Sequence, residues 1–179
     1  MKTTQILIAG FGGQGILFSG KFLAYKGLKE ELQVSWLPSY GPEMRGGTAN
    51  CNVILSDDPV GSPIITTPDV LIAMNLPSLQ KYVNSVAKGG QIYVDSSLID
   101  ARVERDDVEV FYIPATQMAK DAGIATLANM IILGHLLENN DNMSFDGVEA
   151  VVESLVPPKK AALKELNIKA LTLGKSYKA

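Results

Sequence analysis

A glycine-rich turn near the N-terminus constrains the fold more than any other stretch of the sequence. Residues 10–15 follow the apolar run Ile6–Ala9 and precede a helix-like segment that extends to Leu28. Three of the glycines satisfy the pattern G-x-G-x-x-G in the strand–turn–helix context of a dinucleotide-binding turn. Such a turn brings backbone N–H groups and the positive end of the helix dipole close to whatever binds there. The turn therefore favours an anionic group, typically a phosphate.

The match to the dinucleotide pattern is partial. That pattern also requires an Asp or Glu about 20 residues further on, at the end of the second strand, to bind the ribose hydroxyls. The second predicted strand, around Leu32–Leu37, contains no carboxylate. Gly13 and Gln14 also leave the start of the helix thinly covered, which suits the close approach of another chain. Three interpretations stay open: a phosphate-bearing ligand, packing against another subunit, and a tight turn with only a structural role.

Alternating strands and helices indicate the fold class. The predicted strands are 4–9, 33–37, 48–55, 69–74, 91–95 and 108–113, and helical patterns separate or follow most of them. This order predicts a doubly wound α/β fold, a Rossmann-like three-layer sandwich with a mainly parallel sheet and helices on both faces. The length suits one domain over residues 1–179, with enough chain to bury a core.

Composition excludes several classes of function. A net charge of −3 gives no electrostatic reason to expect nucleic acid or an anionic membrane as a partner. No apolar run approaches the roughly 20 residues of a membrane span, and no signal peptide precedes the first strand, so we expect a cytoplasmic protein. Cys51 is the single cysteine and His135 the single histidine. We therefore expect no disulfide, no metal site and no iron–sulfur cluster held by this chain alone.

Two further regions carry candidate functional groups. The bent loop after the second strand, residues 38–47, combines two prolines and three glycines with an aromatic ring, a carboxylate and a guanidinium. Ser96 and Ser97 follow a strand and could share the same sheet edge, although loop serines are more often turn residues. The turn, the bent loop and these serines are all expected at the carboxyl edge of the sheet.

The helix predicted at residues 126–137 is apolar on nearly every face, which is typical of a buried helix. It contains Asn129, whose amide must find partners. That residue either ties neighbouring loops together or contacts a ligand. His135, close to Glu138 and Asn139, is predicted to lie near an exposed helix end as a capping or surface residue. Cys51 is predicted to face the core.

Three stretches together resemble a known family. Residues 10–15, 39–47 and 128–134 are similar to the G-x-G-G-Q-G, S-Y-G-P-E-x-R-G-G and N-M-x-x-L-G signatures of the gamma subunit of 2-oxoacid:ferredoxin oxidoreductases. The second signature is long and specific, unlike the glycine pattern alone. The resemblance spans essentially the whole chain.

The resemblance implies a role inside a larger enzyme. Members of this family oxidatively decarboxylate a 2-oxoacid with coenzyme A, giving an acyl-CoA, carbon dioxide and reduced ferredoxin. Thiamine diphosphate and iron–sulfur clusters are implied on partner chains, with alpha, beta and ferredoxin-like delta subunits as partners and ferredoxin as electron acceptor. The gamma chain binds none of these cofactors alone, carries no catalytic residue and helps to form the coenzyme A side of the active site. It is expected to be inactive by itself.

The same resemblance implies a set of binding residues. The candidates for contact with coenzyme A at the complex interface are Gly12, Gly13, Gln14, Gly15, Tyr40, Gly41, Glu43, Arg45, Gly46, Gly47 and Asn129. Arg45 either contacts the anionic ligand or pairs with Glu43 or across a subunit interface.

Two other functions remain as alternatives. A stand-alone NAD(P)-dependent oxidoreductase is disfavoured by the absent ribose-binding carboxylate. The other alternative is a non-catalytic assembly or regulatory module that binds no small molecule. The oxoacid stays open among pyruvate, 2-oxoglutarate, branched-chain oxoacids and indolepyruvate, and the isolated chain could form a homodimer.

Overall fold

The computed structural model describes residues 2–39 and 48–178. The strands are β1 (Thr3–Phe11), β2 (Gln33–Ser39), β3 (Thr48–Ser56), β4 (Val70–Ala73), β5 (Gln91–Asp95) and β6 (Glu109–Ile113). The helices are α1 (Ile16–Lys29), α2 (Leu76–Tyr82), α3 (Ala115–Asp121), α4 (Ala128–Asn139), α5 (Val148–Leu155) and α6 (Ala161–Ser176). The α/β class and the order of elements agree with the prediction from sequence.

The six strands form one sheet in the order β2-β3-β1-β4-β5-β6. β1, β4, β5 and β6 pair in parallel, whereas β3 pairs antiparallel with both of its neighbours. The sheet is therefore mainly parallel, with one reversed strand inserted between β2 and β1. Because β2 runs in the same direction as β1, both strands end at the same edge, where Ser39 pairs with Asn50 and Asn50 with Ala9.

Most helices cover one face of the sheet. Alternate residues of the strands, such as Ile6, Ile8 and Ile72, form one buried cluster with side chains of α1, α3, α4, α5 and α6. The opposite residues, such as Leu7 and Leu71, pack with α2 and with the chain between β5 and β6. Helices thus lie on both faces, as expected, but among the described residues the second face is covered by one short α-helix, α2, and the 3-10 turn that follows it. This uneven cover places α1 and α4 together beside the end of β1.

α4 and α6 approach each other unusually closely. Every residue from Ala128 to Leu137 is buried, which confirms the prediction of a helix buried on all sides. At the contact, a Cβ on Gly134 would lie 1.9 Å from the carbonyl oxygen of Leu171, and one on Gly174 would lie 1.8 Å from that of Ile131. Only glycine permits backbones this close. The two helices therefore pack through their main chains, which fixes α4 against the sheet.

His135 is buried, and its prediction as a surface or capping residue is wrong. Its side chain is 5% exposed and lies edge-on to the rings of Tyr93, Phe111 and Tyr177. Nδ1 lies 3.2 Å from the carbonyl oxygen of Gly174. The sequence neighbours of His135 are polar, but α6 and the residue after it cover this end of α4. Burial lowers the pKa of the imidazole.

This burial predicts a pH-dependent stability. The unfolded chain binds a proton at His135 near pH 6.5, whereas the folded chain resists protonation. The free energy of unfolding should therefore fall as the pH drops from 6.5 towards the lowered pKa of the folded state. Denaturant unfolding of the wild type and of His135→Phe between pH 5.5 and 7.5 measures this. The variant should lose part of the pH slope, and an equal slope in both proteins would contradict the prediction.

Candidate functional site

The glycine turn connects β1 to α1 at the carboxyl edge of the sheet. The N–H of Gln14 donates to the carbonyl oxygen of Phe11 at 3.2 Å, which closes the turn. Gly13 has a φ of +93° and Gly15 a φ of +77°, a region that side chains disfavour. Gly15 is the residue immediately before α1. The backbone path of the turn thus favours glycine at positions 13 and 15.

The side chain of Gln14 braces this turn from inside. Its Oε1 accepts a hydrogen bond from the N–H of Phe11 at 2.6 Å, and its Nε2 donates to the carbonyl oxygen of Met74 at 2.9 Å. Met74 directly follows β4, so one amide links the ends of two neighbouring strands. A Cβ on Gly10 would lie 2.6 Å from Gln14 Oε1, so that glycine makes room for the amide. Gln14 shapes the turn through contacts within the chain.

Asn129, at the start of α4, holds the other side of the turn. Its Nδ2 donates to the carbonyl oxygen of Gly15 at 3.2 Å and to Ser19 Oγ at 3.1 Å. A Cβ on Gly15 would lie 2.5 Å from that Nδ2. Asn129 therefore ties α4 to the start of α1, one of the two roles expected from the sequence. Its Oδ1 is buried and has no hydrogen-bond partner among the described residues.

The N-terminus of α1 opens on a cavity. Within the described part of the chain no side chain caps this helix, and its first turn contains no acidic residue. The first N–H groups of a helix have no acceptor inside it. A cavity of about 280 Å³ lies at this position. Its lining includes Gly12, Gly13, Gly15, Ile16 and Phe18. The arrangement can bind an anion through the main chain.

A second cavity of about 350 Å³ adjoins the first and shares Gly15 and Phe18 with it. Most of its lining is apolar, from residues such as Leu155, Val156 and Leu163. The polar members of the lining are Thr126, Asn129, Lys160 and Asn167. Asn167 is 4% exposed, and its Oδ1, like that of Asn129, has no partner within residues 2–39 and 48–178.

Sequence reasoning did not find this second cavity. Asn167 lies in the middle of α6, where an asparagine is uncommon because it competes with the helical backbone for hydrogen bonds. The signal available in the sequence was an asparagine in the middle of a helical stretch. Lys160 is exposed and lies directly before α6, at the edge of the cavity.

Six of the candidate residues lie outside the described residues, namely Tyr40, Gly41, Glu43, Arg45, Gly46 and Gly47. Their expected roles stay predictions. The flanking positions are described: Ser39 ends β2 and Thr48 pairs with Phe11. Both lie at the sheet edge that carries the glycine turn.

Ser97 and Cys51 have contacts within the chain that are typical of structural residues. Ser97 Oγ accepts a hydrogen bond from the N–H of Gln117 at 3.0 Å, as a turn residue would. Cys51 is fully buried, its Sγ lies 3.4 Å from the carbonyl oxygen of Ile16, and burial raises its pKa to about 12. A thiol with this pKa stays protonated at neutral pH and packs as a small apolar group. Cys51 faces the core, as predicted.

Across residues 2–39 and 48–178, no group of three or more His, Cys, Asp or Glu side chains could hold a metal ion. Over the same residues, none of the helices has the length and hydropathy needed to cross a bilayer.

The fold and the turn define a class: an α/β chain in which a glycine turn leads into a first helix whose N-terminus no described side chain caps. The family model for pyruvate ferredoxin/flavodoxin oxidoreductase matches residues 5–177. The 2-oxoglutarate synthase subunit KorC of Methanothermobacter marburgensis is 34% identical over 178 residues, covering 96% of this chain and 94% of the relative. The chain therefore belongs to the pyruvate ferredoxin/flavodoxin oxidoreductase family.

Other relatives are longer than this chain. The ketoisovalerate oxidoreductase subunit VorA of Methanothermobacter thermautotrophicus is 44% identical over 133 residues, which cover 74% of this chain. The chain spans only 28% of the length of that relative. The matched region of VorA is thus one part of a larger polypeptide.

Solved structures with a similar fold come from the same family of enzymes. The gamma subunit of a keto/oxoacid ferredoxin oxidoreductase from Geobacter sulfurreducens has a TM-score of 0.81 and 31% identity, with 96% of this chain and 95% of that chain covered. The 2-oxoglutarate:ferredoxin oxidoreductase from Magnetococcus marinus, solved with 2-oxoglutarate, coenzyme A and succinyl-CoA, has a TM-score of 0.87 and 26% identity. It covers 98% of this chain, which spans 31% of that chain. The fold is therefore that of a gamma subunit.

Proposed function

We propose that this chain is the cofactor-free gamma subunit of a cytoplasmic, multi-subunit 2-oxoacid:ferredoxin oxidoreductase and forms the coenzyme A side of its active site. The observation that carries this proposal is the N-terminus of α1, which no side chain of residues 2–39 and 48–178 caps and which opens on a cavity beside the glycine turn. Coenzyme A carries a pyrophosphate, and main-chain N–H groups at a helix N-terminus bind such an anion well.

Each residue of the turn has a defined task in this proposal. Gln14 and Asn129 hold the turn from two sides, so that the N–H groups of α1 keep their direction before the ligand arrives. Gly13 leaves space above the turn, since an added Cβ there would meet no atom of the described residues within 4 Å. Because such a site is already ordered, binding a ligand costs little further conformational entropy.

The partner chains supply the remaining chemistry. In the overall reaction the 2-oxoacid loses carbon dioxide, its acyl group forms a thioester with the coenzyme A sulfur, and two electrons pass to ferredoxin as the thiol proton is released. We assign the thiamine diphosphate and the iron–sulfur clusters to beta and delta-type partners, with an alpha subunit completing the complex. The relatives KorC and VorA are named for two different oxoacids, 2-oxoglutarate and ketoisovalerate. This difference supports a role in which the partner chains select the oxoacid.

A direct assay tests the proposal. The tagged chain, purified from its own cells, should bring partner subunits with it and reduce a viologen dye only when a 2-oxoacid and coenzyme A are both present. Removing this chain and adding it back should abolish and restore that activity, and a panel of oxoacids then identifies the substrate. A chain that purifies alone, with no oxidation of any oxoacid after partner subunits are supplied, would contradict the proposal. Activity that persists without coenzyme A would point to an assembly module.

A further inference from the structure

Strand β2 forms one edge of the sheet, and no described strand pairs with its outer side. Among the described residues β2 pairs with β3 alone. Edge strands usually carry charged side chains that prevent pairing with another strand. The seven residues of β2 include no charged side chain, and Trp36 and Leu37 are each 38% exposed. This edge is therefore suited to pairing with a further strand.

The register of the sheet shows which main-chain groups of β2 point outwards. The N–H of Asp57 donates to the carbonyl oxygen of Lys2 at 3.1 Å, so even-numbered residues of β1 bond to odd-numbered residues of β3. Because antiparallel bonds alternate along a strand, even-numbered residues of β3 bond to odd-numbered residues of β2. Val34 and Trp36 thus direct their N–H and C=O groups away from the sheet. Pro38 lies in the same row and has no N–H to leave unpaired.

We propose that two copies of this chain pair through β2, antiparallel across a twofold axis at Ser35, into one continuous sheet with six strands from each copy. Val34 of one copy then lies opposite Trp36 of the other, and these residues exchange both main-chain hydrogen bonds. Pro38 lies opposite Leu32, whose N–H already donates to the carbonyl oxygen of Gly27 at 3.0 Å. The pairing therefore leaves no N–H group of this row without an acceptor.

The side chains along this pairing are complementary. Val34 and Trp36 both lie on the α1 face, since Val34 packs near Gly27 and Trp36 near Gly20 of that helix. An aromatic ring opposite a β-branched side chain is a favourable cross-strand pair. No like charges meet, because every position from 32 to 38 is neutral. A second copy thus supplies the neutral, partly apolar strand that this edge requires.

The twofold arrangement also leaves room for other subunits. An axis perpendicular to the sheet reverses the strand direction and keeps both α1 helices on the same face. The glycine turns of the two copies, which follow β1, then lie at opposite edges of the joined sheet. The pairing covers neither turn, so it is compatible with a partner subunit on each copy.

The size of the contact predicts a weak dimer. The edge is about 24 Å long and, together with α1, about 20 Å thick, so each copy would bury roughly 500 Å². A standard interface buries about 800 Å² per partner. We therefore expect copies that associate and dissociate in the micromolar range of concentration.

A cysteine cross-link tests the pairing in the purified chain. Ser35 of the two copies would form a non-hydrogen-bonded pair with Cα atoms about 4.5 Å apart, within the range of a disulfide. Gln33→Cys is the matched control, because its two copies would lie about 13 Å apart, too far for a disulfide. Under mild oxidation, Ser35→Cys should give at least about tenfold more covalent dimer than Gln33→Cys. Random collision would favour the control instead, since Gln33 is the more exposed of the two side chains. Cys51 is fully buried and adds little background.

A second measurement needs no variant. Trp36 is the only tryptophan in the sequence and lies at the proposed contact. Dilution of the wild-type chain through the micromolar range should shift its emission to longer wavelength, and sedimentation should show the dimer dissociating over the same range.

Three results would overturn the proposal. They are equal cross-linking of the two cysteine variants, a wild-type chain that stays monomeric throughout this range, and a dimer whose dissociation leaves the emission of Trp36 unchanged. If Trp36 is shielded only when other subunits of the complex are bound, the edge belongs to one of them and the proposal also fails. None of these measurements involves coenzyme A, so the result is independent of the proposed function.

Discussion

Replacing Gly134 with alanine is expected to lower the free energy of unfolding by about 3 kcal/mol, the upper range for an overpacked core. The new Cβ would lie 1.9 Å from the carbonyl oxygen of Leu171, far inside contact distance. A main-chain carbonyl has no rotamer by which to move away, so α4 and α6 must separate along their whole contact. The better helix propensity of alanine offsets only about 1 kcal/mol of this loss. Denaturant unfolding of the purified chain measures the difference.

Gly61→Ala is the matched control for this substitution. A Cβ at Gly61 would meet no atom within 4 Å in the part of the chain that the structure describes, and its backbone does not lie in the left-handed region. The same chemical change should therefore alter stability by less than about 0.5 kcal/mol, as is usual for surface substitutions. A Gly134→Ala protein as stable as Gly61→Ala would show that the two helices can move apart at no cost.

Gly13→Asp in the assembled enzyme should raise the KM for coenzyme A about 30-fold relative to Gly13→Asn. A carboxylate at the start of α1 occupies the position that an anionic ligand would use and repels its phosphates. A full charge at a helix N-terminus is worth up to about 2 kcal/mol, which corresponds to the expected factor. Steady-state kinetics with varied coenzyme A at saturating oxoacid provide the measurement.

Gly13→Asn isolates the charge from the change in shape. Asn and Asp have nearly the same size and both tolerate positive φ better than other side chains. Any strain from the φ of +93° is thus common to the two variants. Similar KM values for both variants would argue against an anion at this helix end. A raised KM for the oxoacid in Gly13→Asp alone would point instead to a disturbed subunit interface.

The order and type of the elements could be predicted because hydrophobic periodicity and turn residues are local signals. The unbroken apolar run of β1 and the apolar sequence of α4 each predicted a buried element, and both elements are buried. The reversed direction of β3 left no such signal. Its alternation of side chains is the same in parallel and antiparallel pairing, so only the tertiary structure reveals the insertion. No pattern in the sequence indicated the uneven distribution of helices between the two faces of the sheet.

At the site, the sequence identified the positions but not their partners. The expected contact of Gln14 with a ligand stays a prediction, whereas its amide bonds to Phe11 and to Met74, which is 60 residues from Gln14, were not foreseen. Asn129 bonds to Gly15 across 114 residues. Contacts of this range depend on which elements become neighbours in the sheet. His135 was misjudged for the same reason, because its burial comes from a helix that follows it in the chain.

The position of the reversed strand β3, between β2 and β1, also affects which nucleotides this fold can bind. In a nicotinamide-binding fold, β2 lies directly beside β1, and a carboxylate at its end reaches the ribose of a cofactor seated on the glycine turn. Here β3 separates the two, so the end of β2 lies two strand spacings, about 10 Å, from the end of β1. A carboxylate introduced there would fall short of that sugar. The inserted strand therefore separates the glycine turn from the position at which a nicotinamide-binding fold contacts the ribose.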